Sequence, residues 1–266
     1  MLPLTALLLI YSTIIVPENY KTIQEAVINA SREDTIIVSE GIYKENVSIT
    51  RPVSIISRRG PDSTTVRAAV PSEPVFKVSN ANNVAITGFT ATGSLLSGIY
   101  LYNSNNVTIR DNKSVKNANG LILYGSSNNT VAGNSADLNE KYGIYLDSSN
   151  RNSLEKNSAS SNNDNGIFLS SSSYNNLTDN SVNHNTWNGI ILWDSSNNTL
   201  KDNRVWRNRF GIVISGGGNN TLINNSTWSN IYIIMPLILA YIGIVSYIIQ
   251  RRVLQTIYRG YFTHLK

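Results

Sequence analysis

"GIILWDSSNNTLKDNRVWRNRF", residues 189–210, alternates apolar residues, then runs through serine and asparagine into a basic segment. The stretch before it, "GIFLSSSSYNNLTDNSVNHNTWN", residues 166–188, spells nearly the same phrase. The repetition extends upstream. Glycines stand at Gly98, Gly120, Gly143, Gly166, Gly189 and Gly211, always 22 or 23 residues apart. A period of this size marks a stacked repeat architecture. Counted from each glycine, position one is Ile99, Leu121, Ile144, Ile167, Ile190 and Ile212, and position three is Leu101, Leu123, Leu146, Leu169, Leu192 and Ile214. Position eleven is apolar as well, from Ile109 to Leu222.

Positions one and three share one face of a strand, because side chains alternate with period two. No segment of a repeat is long or periodic enough for an amphipathic helix. A single repeat cannot bury its apolar face, whereas stacked repeats can. The expected fold is therefore all-β: a parallel β-solenoid with coils about 4.8 Å apart. Position fourteen is always asparagine (Asn112, Asn134, Asn157, Asn180, Asn203, Asn225), and so is position nineteen (Asn117, Asn139, Asn162, Asn185, Asn208, Asn230). Stacked coils would lay these amides over one another as two structural ladders, since an amide both donates and accepts. Asparagine also tolerates the left-handed backbone of a bend. Position nine adds part of a third column, from Asn129 to Asn220.

The stack is expected over residues 34–230, with Phe89 where a ladder asparagine would fall. Ahead of it, Ile23, Ala26, Val27 and Ala30 have helical spacing, and Thr22 with Glu25 makes a capping box. An amphipathic helix within residues 17–33 would cover the open edge of the first coil.

The two ends are apolar. Residues 1–16 have the size of a secretory signal core, with an uncleaved anchor as the alternative. Neither a preceding Lys or Arg nor an A-x-A site accompanies them. Residues 231–249 carry no charge and would span roughly 29 Å as a helix, the thickness of a hydrocarbon core. Arg251 and Arg252 follow, which places the tail, residues 250–266, in the cytoplasm and the repeats outside, extracellular or periplasmic. A buried core helix is the other reading of this segment. With no linker after the last repeat, the lipid surface itself is expected to cover the lower end of the stack.

Composition narrows the chemistry. The 266-residue chain has no cysteine, two histidines and two methionines, which excludes disulfides and thiolate zinc sites and leaves few soft-metal ligands. The net charge of +5 comes largely from the tail and implies no nucleic-acid partner.

"YKTIQEAVINASREDTIIVSEGIYKENVSI", residues 20–49, resembles the opening segment of right-handed parallel β-helix proteins of the pectin-lyase-like superfamily. G-I-x-L followed by S-S-N-N-T and D-N is similar to the repeat of the NosD-type, periplasmic copper-binding-like group. The resemblance covers roughly residues 20–230. It implies the fold, and as activities a polysaccharide lyase, hydrolase or epimerase, or an accessory role in maturing a periplasmic metalloenzyme. The superfamily's paired aspartates with GHG and R-I-K are missing, as is the epimerase D-P-H-D. His184 is the only histidine before residue 231, so the copper label finds no ligand set. No catalytic residue, metal site or cofactor is assigned.

Two acidic pairs invite chemistry. Asp179 and Asp202 on adjacent coils would suit calcium or acid–base work, though Asp-Asn is ordinary bend chemistry. Asp147 and Asp194 lie two coils apart. A stripe at positions two and four is the candidate ligand surface: Tyr100, Tyr102, Tyr124, Tyr145, Phe168 and Trp193, with Ile122 and Ile191. It suits a cell-surface glycan or a protein partner, and β propensity alone would also favour such residues. Ten sequons occur, and those in the ladders, at Asn112 and Asn225, should be shielded by burial. The sequence thus reads as a membrane-anchored, non-catalytic surface protein, structural, adhesive or glycan-binding.

Overall fold

A computed structural model describes residues 12–228. Residues 1–11, Asn230, the expected span 231–249 and the basic tail 250–266 lie outside the described residues. The chain winds into a right-handed parallel β-solenoid of about nine turns. Ten strands, from Thr13–Val16 to Thr221–Ile223, form one sheet, and eight, from Val47–Ile49 to Phe210–Ser215, form a second. A third face runs through Gly41–Lys44, Thr64–Arg67, Thr90–Thr92 and Lys113–Ser114, then through single bridges at Ser135 and Ser158 to Ser181.

The sequence repeat is the strand register. Ile99 pairs with Leu121, then Ile144, Ile167, Ile190 and Ile212 in succession. On the first sheet Ile109 pairs with Val131, Leu154, Leu177, Leu200 and Leu222 in the same way. The position-one and position-three residues from Ile99 to Leu192 are wholly buried. Each such side chain contributes roughly 1.5–3 kcal/mol through burial.

Asparagine columns close the bends. The Asn180 amide oxygen accepts from the backbone N–H and the amide of Asn157, each at 3.0 Å. Its amide nitrogen donates to Asn203 Oδ1 and to the Leu154 carbonyl, each at 2.9 Å. The same pattern joins Asn112, Asn134 and Asn157 above it and Asn203 to Asn225 below. Position nineteen repeats it from Asn139 through Asn162 and Asn185 to Asn208. Position nine does so from Asn152 through Asn175 and Asn198 to Asn220. Phe89 takes the ladder place above Asn112, its N–H donating to Asn112 Oδ1 at 2.9 Å. Its ring is buried against Phe76, with centroids 5.3 Å apart.

The left-handed residue of each bend is not the ladder asparagine, as the sequence reading supposed. It is the residue before it: Asp111, Gly133, Lys156, Asp179, Asp202 and Asn224 all have positive φ. The asparagine that follows is not left-handed, and its amide bonds to the next coil. The left-handed place thus accepts lysine and aspartate, at a cost of roughly 1–2 kcal/mol each that the ladder offsets. A serine column accompanies the ladders: the N–H groups of Ser104, Ser126, Ser149 and Ser172 each donate to the serine hydroxyl one coil on.

The repeat glycine has a packing reason. A Cβ at Gly166 would lie 2.2 Å from Val182 Cγ1 and 2.6 Å from Asn185 Nδ2. Position zero is therefore kept bare by the corner side chain and the position-nineteen amide together.

At the N-terminal end two expected boundaries move. Residues 13–16, read as the end of the leader segment, form the strand Thr13–Val16, paired in parallel with Thr35–Val38. Asp34 fastens it there, its carboxylate accepting from Ser12 N and Ser31 N at 2.8 and 2.7 Å. The helix is Ile23–Asn29, shorter than the residues 17–33 allotted to it, because Ala30 is already extended and Glu33 is left-handed before the next strand. Thr22 and Glu25 form the capping box, and Ile23, Ala26 and Val27 are buried. The helix packs on the strand Val47–Ile49. Gln24 accepts from Ser48 N at 2.6 Å and donates to Ser48 O at 3.3 Å. Among the described residues no helix is long and apolar enough to cross a membrane.

Replacing Asn180 with Leu removes four bonds at once and leaves buried partners unpaired. The variant should lose about 1–3 kcal/mol, read as a lowered melting temperature of the purified protein. An unchanged melting temperature would show that the ladder contributes nothing.

Candidate functional site

The second sheet presents a regular outer surface. Buried residues at positions one and three leave two outward columns, whose members are partly or well exposed. Tyr100, Ile122, Tyr145, Phe168 and Ile191 make the first, and Tyr102, Tyr124, Asp147, Ser170 and Trp193 the second. The named aromatics thus face outward together over five coils, about 19 Å from end to end. They form two clusters rather than one continuous strip. Tyr102 stacks on Tyr124 with centroids 5.7 Å apart, and Tyr100 leans on Tyr102 at 6.4 Å. Tyr145 stacks on Phe168 at 5.0 Å. Trp193 stands by itself at the far end, about half exposed.

Two members escaped the sequence reading. Tyr142, one residue before the repeat glycine, packs on Tyr145 at 5.2 Å and edge-on to Phe168 at 5.5 Å. Asp147, which the sequence pairs only with Asp194, stands in the middle of the stripe, one strand from Tyr124. Its Oδ2 accepts from the Tyr145 hydroxyl at 3.0 Å and its Oδ1 from Ser148 Oγ at 2.9 Å. Alternation along the strand puts Tyr145 and Asp147 on one face, so the signal was present in the sequence. Asp194 occupies the next position along, at a left-handed bend, and shares no column with Asp147.

The other candidates are bend residues. Asp179 and Asp202 are both left-handed and border a recess of about 420 Å³ that also holds Arg204. Lys201 lies 3.8 Å from Asp202. Among the described residues no three His, Cys, Asp or Glu side chains gather closely enough to hold a metal. Both ring nitrogens of His184 face neighbours, Asn183 at 2.7 Å and the Arg207 guanidinium at 3.3 Å. With a cation against the only histidine among the described residues, this donor set does not fit a copper ion. The sequons sort by exposure. Asn112 is buried and Asn225 is held by ladder bonds, whereas Asn106, Asn128 and Asn219 are exposed at left-handed bends.

Burial, reinforced by the hydrogen bond to Asp147 and its charge, pushes the Tyr145 phenol up to about 12. A folded-state value above the unfolded one, near 10, gives a stabilisation that is complete below about pH 10 and fades as pH rises toward 12. Alkaline titration followed by tyrosine absorbance should show this late phenol. In Asp147→Asn it should move down, yet stay raised, because burial is the larger cause. An unmoved titration would separate the two side chains.

No curated protein matches the sequence. Solved structures match in fold. A mutant of the periplasmic alginate epimerase AlgG superposes with a TM-score of 0.59 at 17% identity, over 81% of this chain and 55% of that one. This chain therefore spans little more than half of the epimerase. An alginate lyase from Paenibacillus sp. str. FPU-7 gives 0.55 at 17% identity, over 82% and 97% of the two chains. The pectate lyase Pel9A gives 0.56 at 14%, over 83% and 80%. At such identities the likeness is one of fold, that of the pectate-lyase-like parallel β-helices. The sequence itself matches one family model, the periplasmic copper-binding protein NosD, over residues 27–188 and again over 160–235. With the match and the coil geometry in agreement over most of its length, the chain belongs to the NosD family.

Proposed function

We propose that this protein is a glycan-binding β-helix displayed outside the cytoplasmic membrane, with the aromatic face of the second sheet as its binding surface. The observation that carries the reading is the outward row of tyrosine, phenylalanine and tryptophan rings, spaced by the coil repeat and gathered into stacked pairs. Aromatic faces repeated along a rigid axis suit a linear chain of sugar rings. The periplasmic description of the family supports a location beyond the cytoplasmic membrane. The neighbours whose names refer to alginate and pectate support a polysaccharide ligand. A second reading, a polysaccharide-processing enzyme, draws on the Tyr145–Asp147 pair in the same face, and a product assay on any bound polysaccharide separates the two.

In this reading residues 231–249 anchor the protein and the short helix caps the distal end. Gln24 supports the cap, since its amide occupies both backbone groups of Ser48 on an edge strand. Exposed Ile214, Leu222 and Trp228 in the last described coil support a lower end that meets lipid.

Tyr102→Ala with Tyr124→Ala should weaken glycan binding at least tenfold while circular dichroism stays unchanged. A glycan array followed by titration of the best ligand measures it, and undiminished binding would move the site elsewhere. The full chain should resist extraction from membranes by high salt, and removal of residues 231–266 should release it. Release of the full chain by salt alone would remove the anchor.

A further inference from the structure

The aromatic face has a charge of its own. Register places Lys77, Tyr100, Ile122, Tyr145, Phe168 and Ile191 in one outward column, so its one cation lies three strands from Tyr145, about 14 Å. The central carboxylate is Asp147. Both of its oxygens are held by neutral hydroxyls, from Tyr145 and Ser148. Among the described residues none of the ion pairs includes it. It is partly withdrawn from water, with Tyr124 on the neighbouring strand and Tyr145 two residues before it. A second carboxylate, Asp194, is exposed directly after Trp193.

We propose that this face selects amino-sugar glycans, with Asp147 holding a protonated hexosamine amine against the rings of Tyr124 and Tyr145. The inference rests on the glycan reading above and names the substrate class. An ammonium group is attracted to the negative face of an aromatic ring within about 6 Å of its centroid. A carboxylate at the same place adds a charge–charge attraction, which is stronger where water is partly excluded. A uronate would meet repulsion from the carboxylate and from the ring faces alike. A neutral sugar keeps the stacking and gains nothing from the charge. The Tyr100 phenol is raised by burial first, then by the neighbouring Tyr124 and Tyr102 phenols and by Asp147, and the Tyr142 phenol by burial and then Asp164.

The test is calorimetric titration of the full-length protein at mildly acidic pH with three probes of equal length: glucosamine oligomers, their N-acetylated counterparts and mannuronate oligomers. The wild type should bind the glucosamine oligomers about tenfold more tightly than the N-acetylated ones, and mannuronate most weakly. Asp147→Asn should erase that preference. Asp147→Ser, which introduces the residue found at this place in the next coil, should do the same with unchanged circular dichroism. Equal affinity for the amino and N-acetylated oligomers, unaffected by either variant, would overturn the charge selection and leave glycan binding standing. Preference for mannuronate would overturn it as well. Failure of all three probes to bind would overturn the glycan reading together with this one.

Discussion

Each regular coil of this protein must turn several times within 22 or 23 residues, and each turn breaks the ladder of strand hydrogen bonds. Backbone groups left at the corners of a stacked structure are enclosed by the coils on either side, where an unpaired N–H costs about 1–3 kcal/mol. The asparagine amide answers this constraint. It is long enough to reach the next coil and carries both kinds of partner. Each one takes a backbone N–H from one side and gives to a carbonyl and to the next amide. Because each amide needs its copy in the adjoining coil, the columns hold the period constant from Asn112 onward, and the constant period keeps the strands there in register.

Other features follow from that register. The repeat glycine has a bare α-carbon because the corner side chain, the position-nineteen amide and the neighbouring backbone leave no room for a Cβ. Serine hydroxyls close a corner where less reach is needed. Phe89 ends a column by replacing an amide with an apolar ring packed on Phe76, which works because its own N–H still meets Asn112. Residues at the left-handed places vary freely, from Lys156 to Tyr174 to His184, since their side chains leave the stack. The rigid axis makes the exterior a lattice, on which any side chain placed outward recurs at the coil spacing. The aromatic face is one use of that lattice, and Asp147 gives it a sign.

Family membership and fold constrain function less than the surface does. The NosD match describes a copper-binding protein, while the donors in residues 12–228 do not assemble a site for that ion. A solenoid tolerates such divergence because core and ladders are independent of what the outward positions carry.

The sequence by itself determined the fold class, the coil period, the buried columns and the outward direction of Tyr100, Tyr102, Tyr124, Tyr145, Phe168 and Trp193. These depend only on spacing along the chain: alternation within a strand, and a repeat long enough to show the same residue at the same place. Tertiary structure decided whatever depends on a neighbouring coil. It moved the left-handed backbone to the residue before each asparagine, because only there does the amide aim at its copy. It drew residues 13–16 into the first sheet through Asp34, since an apolar run reads alike as leader and as strand. It set Asp147 among the tyrosines, since its neighbour Tyr124 comes from the coil before, 23 residues earlier in the chain.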